Sequence, residues 1–117
     1  MNFNEYTKNA KRTTAKLRTE TMDDLHMVLG MVTEVAELAD AYKKYIAYGK
    51  DLDFINIQEE IGDLMWYIAN LCAFNNFDLE KILETNINKL RVRYPEKFSE
   101  DHANNRDLQK EREILEK

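Results

Sequence analysis

Apolar residues recur at three- and four-residue intervals through most of this chain, and strict alternation is absent, so its elements are expected to be helices. Asn2 followed by Glu5 predicts a capped start to a first helix running to about Leu17. Thr21 with Asp24 predicts a second capped start, opening a long helix that Gly49 closes. Asp53 is expected to open a third helix from Phe54 to about Asn75, and Asp78 to cap a fourth that Pro95 terminates. Beyond Pro95 the chain turns polar, with a short charged helix expected over Asn105 to Glu116. The expectation is an all-α, four-helix bundle over residues 1–98 with a charged, helical C-terminal tail over 99–117.

The second helix carries two apolar faces. Leu25, Val28, Val32, Val35, Ala39, Tyr42 and Ile46 form a stripe at core spacing. Roughly opposite lie Glu34 and Glu37, among Met27, Gly30, Met31, Leu38, Ala41, Tyr45 and Tyr48 rather than among polar side chains. A helix apolar nearly all round is buried on two sides, so these acids are expected in a second packed surface. The third helix repeats the arrangement. Ile57, Ile61, Leu64, Ile68 and Leu71 make its core stripe, while Glu60 and Asp63 share a side with Asn56, Tyr67, Asn70 and Phe74. On the fourth, Asn86 interrupts the stripe of Leu79, Ile82, Leu83, Ile87 and Leu90, and Lys89 and Arg93 follow it along one edge.

Carboxylates three residues apart on a helix are neighbours and repel, and on an apolar face they are costly unless paired or bound to metal. Two such pairs, Glu34/Glu37 and Glu60/Asp63, therefore suggest two sides of a cage for a divalent cation. Carboxylate oxygens suit a hard cation such as Mg²⁺, with Mn²⁺ as an alternative, and Mg²⁺ commonly completes its shell with water and phosphate oxygens. Zinc would call for paired Cys or His, and a di-iron bundle for Glu-x-x-His; neither His26 nor His102 stands at that spacing. The plain alternative is four solvated surface charges. Asn86, Lys89 and Arg93 offer amide and cationic donors to phosphates, although cations near a helix C-terminus also complement its dipole. Tyr67 is the candidate to stack on a nucleobase, whereas Trp66 reads as core. Lys43, Lys44 and Lys50 form another cationic group, read mainly as a solvated face.

With 117 residues the chain fits one domain, and its three glycines, single proline and 33% charged residues favour long helices. The net charge of −5 disfavours binding to nucleic acid or an anionic membrane. The absence of a long apolar run and the lone Cys72 fit a cytoplasmic location, with Cys72 as inert core.

The residues quoted resemble the MazG-type, all-α nucleoside triphosphate pyrophosphohydrolases. That family's mark is Glu-x-x-Glu, a gap, then Glu-x-x-Asp, here Glu34/Glu37 and Glu60/Asp63. Gly30, the run from Glu59 to Leu64, Asn70-Leu71 and the stretch from Asn86 to Pro95 match the same pattern, over about residues 20–98. The resemblance implies hydrolysis of a nucleoside triphosphate, often a deoxy one, to monophosphate and pyrophosphate. It implies Mg²⁺ on all four acids, Glu34 or Glu37 as catalytic base, and Tyr67, Asn70, Asn86, Lys89 and Arg93 as nucleotide contacts. It also implies a homo-oligomer, a dimer or a dimer of dimers. Two alternatives remain: a phosphoribosyl-ATP pyrophosphohydrolase, and a non-catalytic helical interaction module.

Overall fold

The computed structural model describes residues 1–117 and contains helices only: α1 (Phe3–Lys11), α2 (Glu20–Tyr48), α3 (Phe54–Phe74), α4 (Leu79–Arg93), α5 (Glu100–Asn104) and α6 (Leu108–Glu116). None is long and apolar enough to cross a membrane. The chain divides into two compact units, Met1–Phe77 and Asp78–Lys117.

In the first unit α3 packs against both α1 and α2. Asn2 and Glu5 form the expected capping box on α1. The helix stops at Lys11, short of the expected Leu17, where the Thr13 hydroxyl turns back to donate to the Ala10 carbonyl. The linker that follows is pinned at both ends. Trp66 donates its indole N–H to the Thr13 hydroxyl at 2.8 Å, and the Leu17 N–H reaches the buried Asp23 carboxylate at 2.6 Å. These anchors also move the start of α2: Thr19, not Thr21, is its cap, bonded to the Met22 N–H. Asp24, expected in a capping box, accepts instead from Asn75 at the far end of α3. Gly49 closes α2 at a φ of 63°, a left-handed conformation that glycine adopts without steric cost. Asp53 caps α3 through the N–H groups of Ile55 and Asn56.

The two faces of α2 are used the other way round from the expectation. Met27 and Gly30 are buried, while Val32 is 61% and Ile46 79% exposed. Leu25, Val28, Val35 and Tyr42 of the aliphatic stripe are exposed as well. The reason is steric: Gly30 presents no Cβ, so the Tyr67 ring of α3 settles directly on the α2 backbone. A row of branched valines permits no such approach. On α3 the acidic side supplies the buried Glu60 and Asn70, while the expected stripe is half-buried at Ile57, Leu64, Ile68 and Leu71 and exposed at Ile61. The buried apolar residues of this unit are Ala10, Met27, Ala69 and Cys72.

In the second unit Asp78 caps α4 through the Lys81 N–H, and Tyr94 ends it immediately before Pro95. The stripe on α4 is covered only at its ends, with Leu79 buried and Leu90 half-buried, while Ile82, Leu83, Ile87 and the Asn86 that interrupts it are exposed. The tail holds two helices rather than one. Ser99 caps α5 and Asp107 caps α6, which starts at Leu108 rather than Asn105. α6 packs on α4 around the buried Glu111 carboxylate, which accepts from Arg93 at 2.7 Å and from Arg106 at 3.1 and 3.2 Å.

Candidate metal centre

Glu34 and Glu37 stand one turn apart on the face of α2 that meets α3, and Glu60 rises from α3 opposite them. One carboxylate oxygen from each lies within 4.8 Å of the other two. The three differ in environment: Glu60 is 6% exposed, Glu34 half-buried and Glu37 open to solvent. The site is therefore a bowl with an acidic floor and an open rim.

Electrostatics confirm the crowding. Glu37 is held above the usual carboxylate range, first by a hydrogen bond shared with Glu60 and then by the charges of Glu60 and Asp63 and by burial. Glu60 is also raised, chiefly through its hydrogen bond with Glu34. Like charges this close disfavour ionisation, which is why the Glu37 and Glu60 carboxyls are raised. Two further oxygens, Oε2 of Glu34 and Oε2 of Glu60, are buried with no hydrogen-bond partner. Buried carboxylate oxygens without donors are costly, and a hard cation satisfies both the charge and the lone pairs. The donor set fits Mg²⁺ or Mn²⁺, being oxygen only, with neither Cys nor His in it.

Asp63, expected as the fourth ligand, is exposed one turn beyond Glu60 and outside the group of three. Its charge nonetheless acts on Glu37, Glu60 and Tyr6. Tyr67 lies on the same helix with its ring against Gly30, edge-on to Trp66 at 5.0 Å and to His26 at 6.2 Å. Asn70 is fully buried; its amide donates to the Trp66 carbonyl at 3.1 Å, and its Oδ1 has no partner. Asn86, Lys89 and Arg93 are carried by α4 in the second unit. There Asn86 is exposed, Lys89 half-buried, and the Arg93 guanidinium is engaged by Glu111 and lies 5.6 Å from the Tyr94 ring.

Beside the carboxylates opens a cleft of about 490 Å³ that sequence reasoning did not assemble. Its polar lining is acidic at Glu37, Asp40, Asp51, Asp53 and Glu60, with Lys44, Lys50 and Asn56 set among them. Asp40 pairs with Lys44 at 2.8 Å and with Lys43 at 3.4 Å, which lowers the Asp40 carboxyl and raises the Lys44 ammonium. The lysines were visible as a cluster in the sequence. Asn56 was legible as a neighbour of Glu60 on α3; what could not be read is that the α2–α3 turn brings Lys50 to the same cleft as Glu37 and Glu60.

Helices alone, with acids from two neighbours brought within 4.8 Å of one another beside a polar cleft, define an all-α protein with a candidate cation site. A family model described as the MazG nucleotide pyrophosphohydrolase domain matches residues 22–98, and the chain belongs to that family. Gene 37 protein of Mycobacterium phage L5 is 32% identical over 75 residues, covering 58% of this chain and 63% of the relative. The chain thus spans less than two thirds of that relative's length. No solved structure matches.

Proposed function

We propose that the protein hydrolyses a nucleoside triphosphate, in particular a deoxynucleoside triphosphate, to the monophosphate and pyrophosphate with Mg²⁺ as cofactor. The observation that carries this reading is the Glu34–Glu37–Glu60 group, with its raised carboxyls and two donorless buried oxygens. Family membership supports the reaction class. Glu34, Glu37 and Glu60 would hold the cation, and Asp63 would add a fourth carboxylate from the rim. The chemistry a cation held there would supply is Lewis-acid polarisation of phosphoryl oxygens.

The remaining work falls to this chain's own groups. Lys44, Lys50 and Asn56 in the adjoining cleft offer donors to phosphate oxygens. Glu37, the exposed member of the group, is the acid the open rim leaves accessible to take a proton from an attacking water. Asn70 would orient groups through its unpartnered carbonyl, and Tyr67 would fix the spacing of α2 and α3. Asn86, Lys89 and Arg93 are retained as candidate phosphate donors.

We further propose a homo-oligomer. A first unit that buries four apolar residues while exposing Leu25, Val28, Val32, Val35, Tyr42 and Ile46 along one helix lacks a covered core on that side. A second copy would supply the cover. The test of the reaction is a panel of ribo- and deoxyribonucleoside triphosphates incubated with Mg²⁺, with products resolved by ion-exchange chromatography. Monophosphate and pyrophosphate in equal amounts are expected from at least one substrate. Release of orthophosphate and the nucleoside diphosphate, or no turnover across the panel, would overturn the proposal.

A further inference from the structure

Neither α5 nor α6 fully buries an apolar side chain: Glu111 is their one buried residue, Ile114 is half-buried, and Leu108 and Leu115 are exposed. α6 is therefore held on α4 mainly by charge. Oε1 of Glu111 accepts from Nη2 of Arg93 at 2.7 Å and from Nη2 of Arg106 at 3.2 Å, and Oε2 accepts from Nε of Arg106 at 3.1 Å. Those bonds, Arg106's foremost, hold the Glu111 carboxyl below the usual carboxylate range. The match is nonetheless incomplete. Two guanidiniums face one carboxylate, which leaves a positive charge in excess, and Nε of Arg93 is buried with no partner. A buried donor left unpaired is costly. The Arg106 side chain is 41% exposed, so solvent reaches the pair from that side.

We propose that Arg93 and Arg106 form a polyphosphate-binding site which Glu111 closes, and that α6 is a latch opened when the anion takes that carboxylate's place. The donor set selects the ligand. Three guanidinium nitrogens already converge on two carboxylate oxygens, and a fourth, Nε of Arg93, is spare. A terminal phosphoryl group brings a third oxygen and more negative charge, and the planar fork of a guanidinium suits it. A singly charged ligand would gain nothing over Glu111. Nor does α6 have a fully buried apolar side chain to expose on leaving. Arg93 lies within the family match and α6 beyond its end at residue 98, so the closing carboxylate comes from the segment outside that match. While the latch is closed, Arg93 is withheld from any other anion, which makes α6 a restraint on its use as a phosphate donor. Only the source of the anion, a nucleotide rather than free polyphosphate, rests on the pyrophosphohydrolase reading.

The test is amide hydrogen exchange over α6, read by mass spectrometry on the intact, metal-free protein. The additions are inorganic tripolyphosphate, an α,β-imido deoxynucleoside triphosphate, and NaCl at matched ionic strength. Without metal the Glu34–Glu37–Glu60 carboxylates repel both anions, so the response belongs to the arginines. Tripolyphosphate is expected to speed exchange in α6 about fivefold or more beyond the salt control. Glu111→Gln should exchange that fast with no anion present, and should bind tripolyphosphate about tenfold more tightly by calorimetry. Arg106→Gln, which keeps the Arg93–Glu111 pair, should lose the response, an outcome independent of how Glu111→Gln folds. The imido analogue acting like tripolyphosphate supports a latch fed by nucleotide; tripolyphosphate acting alone supports one fed by free polyphosphate. A wild type that responds no more than to NaCl, or an undiminished response in Arg106→Gln, overturns the latch and leaves the pyrophosphohydrolase reading standing. Opening by tripolyphosphate with no turnover across the nucleotide panel leaves the latch standing and overturns that reading.

Discussion

Replacing Gly30 by alanine should destabilise the protein even though alanine is the better helix former. The added Cβ would overlap Cε1, Cδ1 and Cζ of the Tyr67 ring, which would have to retreat by more than an ångström to regain ordinary carbon–carbon contact of about 3.5–4.0 Å. The ring is not free to do so, standing edge-on to Trp66 and His26. Helix propensity contributes about 1 kcal/mol in favour of the variant, whereas forcing a methyl into a packed site costs about 1–3 kcal/mol and more where neighbours are held. Since three ring atoms are struck at once, the upper end applies, leaving a net loss of about 2 kcal/mol. For a domain of this size that is roughly 6–12 °C in Tm. Glu34 stands one turn after Gly30 on the same face, so widening the α2–α3 gap should also weaken Mg²⁺ binding. The assay is thermal unfolding of Gly30→Ala in the wild-type background and in Tyr67→Ala. In the second background the clash is absent and the substitution should be neutral or stabilising, giving a coupling of about 2–3 kcal/mol. Equal destabilisation in both backgrounds, or none in the first, would refute the close-approach argument.

Glu37→Gln should leave the metal-free fold as stable as wild type or slightly more so, because it relieves repulsion with Glu60 and Asp63. It should also abolish turnover, which a pyrophosphate release assay reads. The pH dependence follows from the raised carboxyls of Glu37 and Glu60: the native state binds more protons than the unfolded chain. Their contribution to stability is present below the ordinary glutamate value of about 4.3 and is lost as pH rises through the raised values. Metal-free melting temperatures should therefore carry a falling component above that pH, and saturating Mg²⁺ should remove it. Val32→Lys, on the exposed stripe of α2, should reduce the assembly to a mass near 13.9 kDa by light scattering. A wild type that already has that mass at micromolar concentration would contradict the homo-oligomer.

Local chemistry was legible residue by residue. The caps at Asn2, Asp53 and Asp78 and the closure at Gly49 follow from side chains that bond their own backbone or tolerate positive φ, and the structure has them in place. The acid pairs were visible because carboxylates seldom stand among Met, Leu and Tyr on a helix without a purpose. What remained hidden depends on contacts distant in sequence. Asp24 was drawn away from the capping box by Asn75, and Asp23 holds the Leu17 N–H; no local pattern specifies either. The choice between the two apolar faces of α2 was decided by Tyr67 meeting Gly30, a pairing between helices that periodicity cannot reveal. Glu111, one charged residue among many in the tail, becomes the buried anchor of α6 only because Arg93 and Arg106 converge on it. The cleft beside Lys50 and Asn56 likewise exists only once the α2–α3 turn closes.

The central claim is that Glu34, Glu37 and Glu60 together hold a divalent cation. Calorimetric titration of metal-stripped protein with Mn²⁺ and Mg²⁺, on wild type and Glu60→Gln, tests it most directly, since Glu60 is the buried member of the group. Saturable binding to the wild type, competed between the two ions and lost in Glu60→Gln while the helical circular dichroism signal persists, is the predicted result. Absence of binding to the wild type, or equal affinity in the variant, would contradict the account.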